Sequence, residues 1–424
     1  MRKLSMFFLT LAIGLLFVSC ATLPIGGDGT GNDITNDVII NTFIGTARES
    51  VEFLAYKDGK DGTWEKLSST NGVYTFTPES ADGNFSIYAV YESYDSWNER
   101  DNYDIQIMNL NTTEGKEVPI IFEDSQDTYD ATTYDATLTL NFGSDFIGES
   151  AGIFYGHAIN SHRFPSFGSE DDLTCTLPAI PGTYDLVILA GDQNEDFSKI
   201  YIERNRPITA GTDNEDISWS DFEDFTTYIA TTTINDADAW GELLVGGTTP
   251  VFTWFTGDSQ LKIPQSLATS DDLYALSLSH YDSENLVYRL FTKFTDYPSD
   301  IETLDTLPSS TWEKPLFSDN TFTWNKYDPQ INGHELRFYD TFFANNGWTI
   351  DWMIVLSSGW LGSGDSYEYE IPDLSGLEGW NDLWLPGTGE VDSYQYFEAV
   401  SGNEDDLTKY LDPMAGMEVS TISY

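Results

Sequence analysis

Apolar side chains return at every second position in one short segment after another, and this periodicity restricts the chain to β-structure. Leu138, Leu140 and Phe142 share one side of an extended segment. So do Phe85, Ile87, Ala89 and Tyr91, then Tyr184, Leu186 and Ile188, and again Ile350, Trp352, Ile354 and Leu356. Stretches with helical spacing are scarce. Only 300–307 and 405–411 suit a helical turn or two, and the connections are rich in Gly, Asn, Asp and Pro. Aromatic residues make up 15% of the chain and serve both strand propensity and core filling. The expected fold class is all-β: tandem β-sandwich modules followed by a larger aromatic-rich β domain.

An internal repeat supports this reading. The segment from Thr77-Pro78 through Gly83-Asn84-Phe85-Ser86-Ile87-Tyr88 aligns with Thr176-Leu177 through Gly182-Thr183-Tyr184-Asp185-Leu186-Val187. Upstream, Ile39 and Phe43 align with Leu138 and Phe142; downstream, Asp104-Ile105-Gln106-Ile107 aligns with Lys199-Ile200-Tyr201-Ile202. The expected organisation is a first module over 38–124, an acidic linker over 125–135, a second module over 136–226 and a C-terminal β domain over 228–424. That last region holds most of the tryptophan and reads either as one large sandwich or as two subdomains. The stretch Pro181-Gly182-Thr183-Tyr184-Asp185-Leu186 resembles the strand entry of carboxypeptidase-regulatory-like, or transthyretin-type, β-sandwiches. The resemblance implies Ig-like modules of about seven short strands in two sheets. Residues 348–375 resemble C-terminal modules of uncharacterised bacterial surface lipoproteins, a likeness that implies no activity.

The N-terminus points to a location. Arg2 and Lys3 precede an apolar run over 4–18, and Phe17-Val18-Ser19-Cys20 follows the pattern of a small residue before a cysteine. The run is shorter than the roughly 20 residues a spanning helix needs. The segment resembles a bacterial lipoprotein signal. The likeness implies that 1–19 is removed and that Cys20 carries lipid, so that acyl chains anchor the protein stably at a membrane. Residues 20–37, with Gly26, Gly27, Gly29 and Gly31 among Asp and Asn, read as the lipidated Cys and a flexible tether. The expected localisation is the bacterial cell envelope, extracytoplasmic, at the outer membrane or cell surface. With Cys20 lipidated, Cys175 has no disulfide partner in the chain and reads as an inert, buried thiol.

Charge removes one class of partner. The 424 residues carry 70 Asp and Glu against 19 Lys and Arg, a formal net charge of -51, and such a surface repels nucleic acid. The motifs that could carry chemistry are thin. Gly148-Glu149-Ser150-Ala151-Gly152 matches a nucleophile elbow, but no helical pattern follows it, and it reads as a turn. Asp192, Asn194, Asp196 and Glu203 imitate a calcium loop, yet Phe197 stands where the sharp turn wants Gly. His157 and His162 lack zinc-helix spacing, His280 reads as a core or rim residue, and His334 follows a turn signal. No catalytic residue, metal or cofactor is assigned. The expected function is a non-catalytic binding or structural role at the envelope, with a glycan or protein partner there. The alternatives are an extracytoplasmic hydrolase of glycans or esters and a scaffold subunit of an envelope complex.

Overall fold

The computed structural model describes residues 37–44, 47–113 apart from 96–99, 115–122, 136–142, 145–146, 150–155, 162–163, 174–179, 182–191, 197–229, 231–246, 249–251, 260–284, 287–296, 303–308, 313–326, 335–344, 348–385, 391–402 and 418–423. The chain is all-β, and a single pattern of strand pairing recurs along it.

In the first unit Val38–Ile44 lies between two neighbours, antiparallel to Val73–Phe76 and parallel to Glu117–Phe122. The opposing sheet runs Trp64–Lys66, Phe53–Asp58, Asn84–Asp95, Arg100–Asn111, each antiparallel to the next. The second unit repeats this. Ala136–Phe142 lies antiparallel to Thr174–Ala179 and parallel to Gly211–Ile217. Facing them run His162–Arg163, Ser150–Tyr155, Gly182–Gly191 and Phe197–Ile208.

The aromatic-rich C-terminal region contains the same pattern twice more. Glu223–Ile229 pairs with Gln260–Pro264, and the opposing order is Thr249–Val251, Ala237–Val245, Leu273–Asp282, Val287–Thr295. A hydrogen bond from Leu304 N to Thr231 O, 2.9 Å, stands at the place of the parallel closing strand. The boundary read between 226 and 228 falls inside the first strand of this third unit. In the fourth, Thr321–Asn325 pairs with Ser366–Glu370, and the other sheet runs Trp348–Ser357, Glu335–Ala344, Val391–Gly402, Glu418–Ser423.

Local chemistry accounts for these elements. Ala136–Phe142 alternates strictly between buried and part-buried positions, as expected of a strand with one face on a core. In the first unit the matching buried positions are Val38, Ile40 and Thr42, one residue from the offset suggested by Ile39. Asn71-Gly72 turns the hairpin between Thr70 and Val73 with both residues at positive φ, 52° and 73°. A Cβ on Gly72 would fall 2.6 Å from Glu49 O, so only glycine fits.

The central strands behave differently. Residues 84–90 are buried without interruption, as are 186–191. One side chain set faces its own unit: Leu54, Phe85, Ile87 and Ala89 meet Val38, Ile40 and Tyr74. In the second unit Ile153, Leu186 and Ile188 meet Leu138 and Leu140. The other set meets a different unit, and a sheet covered on both faces reads as a continuous apolar run. Phe53, Tyr88, Ile105 and Ile107 share a core with Phe322, Trp352, Tyr369 and Trp384. Val187, Leu189 and Ile200 share one with Leu243, Tyr274, Leu278 and Phe291.

Sheets also merge at their edges. Glu418–Ser423 pairs antiparallel with Val287–Thr295, and Trp348–Ser357 pairs parallel with Arg100–Asn111. The third, fourth and first units thereby contribute to one sheet of 12 strands. Among the described residues no helix is long and apolar enough to cross a membrane.

Candidate functional site

A large aromatic cluster lies in the seam where the first and fourth units meet. Its floor is the outer face of Phe53–Asp58 and Asn84–Asp95, whose alternation puts Phe53, Ala55, Tyr88 and Val90 on one side. Residues 371–385 fold over that floor through two tight turns and a short 3-10 helix, Asp382–Trp384. The Asn381 side chain caps this helix by accepting from Leu383 N at 3.1 Å.

The rings pack edge to face. Trp380 lies 5.8 Å from Phe53 at 74° and 5.4 Å from Trp384 at 85°. Trp64 meets Tyr88 at 6.3 Å and 89°. The buried indole N–H groups of Trp360, Trp380 and Trp384 have no oxygen acceptor among the described residues. Edge-to-face packing is the arrangement in which a ring face stands in for one.

Main-chain oxygens pin the seam. Trp384 O accepts from Tyr88 Oη at 3.1 Å and from Trp352 Nε1 at 3.2 Å. Burial pushes the Tyr88 hydroxyl well above the usual phenol range, so it remains a donor. Asn109 joins three elements: Ser86 Oγ donates to its Oδ1 at 2.8 Å, its Nδ2 donates to Val355 O at 3.1 Å, and it hydrogen-bonds Tyr369.

Three of the chain's 19 cations border these rings. Lys57 Nζ lies 5.5 Å from the Trp64 ring centroid and donates to Lys60 O at 2.8 Å; burial pulls this ammonium below the usual lysine range. Lys60 Nζ lies 4.6 Å from the Trp360 ring and 3.4 Å from Leu361 O. Lys66 Nζ lies 5.6 Å from the Phe53 ring and donates to Glu378 O at 3.1 Å. The chemistry of the seam is cohesive: ring faces, ammonium groups and carbonyls that join two segments about 300 residues apart.

The residues singled out in the sequence lie elsewhere. Cys20 and the 20–37 tether up to residue 36, the 125–135 linker, Asp192, Asn194, Asp196, His157 and His334 fall outside the described residues. Glu203 belongs to Phe197–Ile208, where its Oε2 accepts from Arg206 Nη1 at 2.7 Å. Arg206, itself buried, also reaches Glu215 and, at 3.5 Å, Asp213. Ser150 is buried and opens the strand Ser150–Tyr155, which continues straight through Gly152 rather than turning into a helix. Cys175 packs part-buried against the second core. His280 Nδ1 lies 3.0 Å from Arg289 Nη2, and because arginine only donates, the ring proton sits on Nε2. Among the described residues no three His, Cys, Asp or Glu stand together in a way that could hold a metal.

Two features went unread in the sequence. One is the three lysines within ten residues flanking Trp64, a visible signal in a chain so poor in cations. The other is Glu242, whose carboxyl burial pushes up to about 7, against a hydrogen bond from Trp240 that lowers it.

No family model matches the chain, and no curated protein does. Among the solved structures that align with it, two are of low similarity throughout. A leucine-rich repeat protein from Bacteroides thetaiotaomicron VPI-5482 matches 43% of this chain at 11% identity with a TM-score of 0.13. This chain spans 26% of that protein's length. A tetra-tandem repeat in the extending region of a large adhesion protein matches 92% of this chain and 98% of its own, at 9% identity and a TM-score of 0.13. At these scores neither likeness carries an argument.

Proposed function

We propose that the chain is a bacterial envelope lipoprotein, held outside the cytoplasm by lipid on Cys20, with a non-catalytic structural or binding role. The location rests on the basic start, the apolar run over 4–18 and the Ser19-Cys20 junction. The observation favouring a structural role is where the aromatic residues go. Trp324, Trp352, Trp360 and Trp384 are buried in the joint between units, where they hold the polypeptide together. A glycan platform of stacked rings would instead need them at the surface.

Two experiments test the reading. Cells fed labelled palmitate should mark the protein, and Cys20→Ala should abolish the label and release the protein from the membrane pellet. An unlabelled protein, or a Cys20→Ala variant that stays in the pellet, overturns the anchor. The purified mature protein, tested with and without calcium against envelope glycans, envelope proteins and ester substrates, should show binding or silence. Turnover of any substrate overturns the non-catalytic role.

A further inference from the structure

We propose that Lys60 and Lys66 form a cationic latch that controls whether the aromatic seam between the first and fourth units is closed. Both lysines sit on the Phe53–Asp58/Trp64–Lys66 hairpin of the first unit, at the outer end of the 12-stranded sheet. Both reach main-chain carbonyls of the fourth, more than 300 positions along the chain.

Lys60 closes one end. Its ammonium lies over Trp360 and donates to Leu361 O, at the C-terminus of the helical turn Ser358–Leu361, where carbonyl dipoles favour a cation. Ser357 fixes the start of that turn by accepting from Trp360 N at 3.1 Å. Lys66 closes the other end. Its ammonium fits against Gly379, φ +86°, where an added Cβ would fall only 2.8 Å from Nζ. Its bond to Glu378 O holds the turn that carries Trp380.

Between these points the contact is ring on ring, with Trp384 O also accepting from Tyr88 Oη at 3.1 Å, a bond that opening must break. The parallel ladder between Trp348–Ser357 and Arg100–Asn111 stays paired if the 371–385 segment alone lifts from the hairpin. Residues 371–385 bond mainly within themselves, through Leu377 N to Leu374 O at 2.9 Å, Trp380 N to Leu377 O at 3.3 Å and Trp384 N to Asn381 O at 2.9 Å. Such a segment can lift as a unit while the first unit's inner core of Val38, Ile40, Phe85 and Ile87 stays formed.

Hydrogen exchange on the full chain tests the latch. With Lys60→Gln and Lys66→Gln combined, amides over 371–385 should exchange about tenfold faster, from the loss of two cation–π contacts. Those of Ala136–Phe142 should be unchanged. The Lys60→Arg, Lys66→Arg pair keeps charge and ring contact and should retain most of the protection. Lys199→Gln, which removes a lysine 5.5 Å from the Trp219 ring in the second unit, should leave the seam untouched. Three outcomes overturn the latch: unaltered exchange in the Gln pair, equal acceleration in Ala136–Phe142, or an Arg pair as fast as the Gln pair. Should the double variant fail to fold, Lys66→Gln alone carries the same comparison over 374–380.

Discussion

Asp272 and Glu242 are both acids held within the third unit, and their partners give them opposite characters. The Asp272 carboxylate accepts from Arg204 Nη1 at 2.7 Å and Nη2 at 2.9 Å, and also from Gly246 N and Thr269 N. Paired and bonded in this way, a buried carboxylate is satisfied. Glu242 is part-buried, and desolvation raises its carboxyl to about 7 against a hydrogen bond from Trp240. A folded-state value above the ordinary 4.5 means that the folded chain holds a proton the unfolded chain has released. Stability from this group is therefore full below pH 4.5 and is lost as pH rises through about 7. Glu242→Gln should raise stability at pH 8 by about 1–2 kcal/mol and leave it unchanged near pH 4, as measured by urea unfolding at both pH values. Equal effects at both would mean that the side chain acts through packing alone. Trp240 and Glu242 are two apart on one strand, so their shared side was legible; the depth of the carboxyl was not.

At the scale of the strand, period two identified the elements but only half of their burial. Phe85, Ile87, Ala89 and Tyr91 read as one face, and Tyr88 and Val90 fall on the opposite one. Both are fully buried because the fourth unit covers that side. The polar residues in this run are equally telling. Ser86 and Asn109 form the hydrogen-bonded junction between Arg100–Asn111 and Trp348–Ser357. Asn109→Ala would leave Ser86, Val355 and Tyr369 each short of a partner. It should cost about 2–4 kcal/mol in denaturant unfolding, because stranded buried polar groups bear their full desolvation penalty. A loss under about 0.5 kcal/mol would mean that relaxation or water meets those needs.

At the scale of the molecule the units do not stand alone. A fragment of residues 37–124 has its inner core intact but exposes Phe53, Tyr88, Ile105 and Ile107, which the full chain covers. It should self-associate and bind a hydrophobic dye, read by light scattering and fluorescence against the full chain. A monomeric fragment that ignores the dye would show that its outer face needs no cover. The sequence by itself determined the all-β class and the repeat of the first two units, and it set the expectations of no polyanion partner and of a lipid at Cys20. Each of these follows from periodicity, charge or a contiguous motif, all local along the chain. Only the tertiary structure decided that the pattern recurs in the C-terminal region and that lysines near position 60 meet carbonyls near 361 and 378. It also decided that Trp324, Trp352, Trp360 and Trp384 close a joint inside the molecule. Pairing between strands hundreds of residues apart leaves no period in the sequence, because its partners are chosen by shape and burial across space.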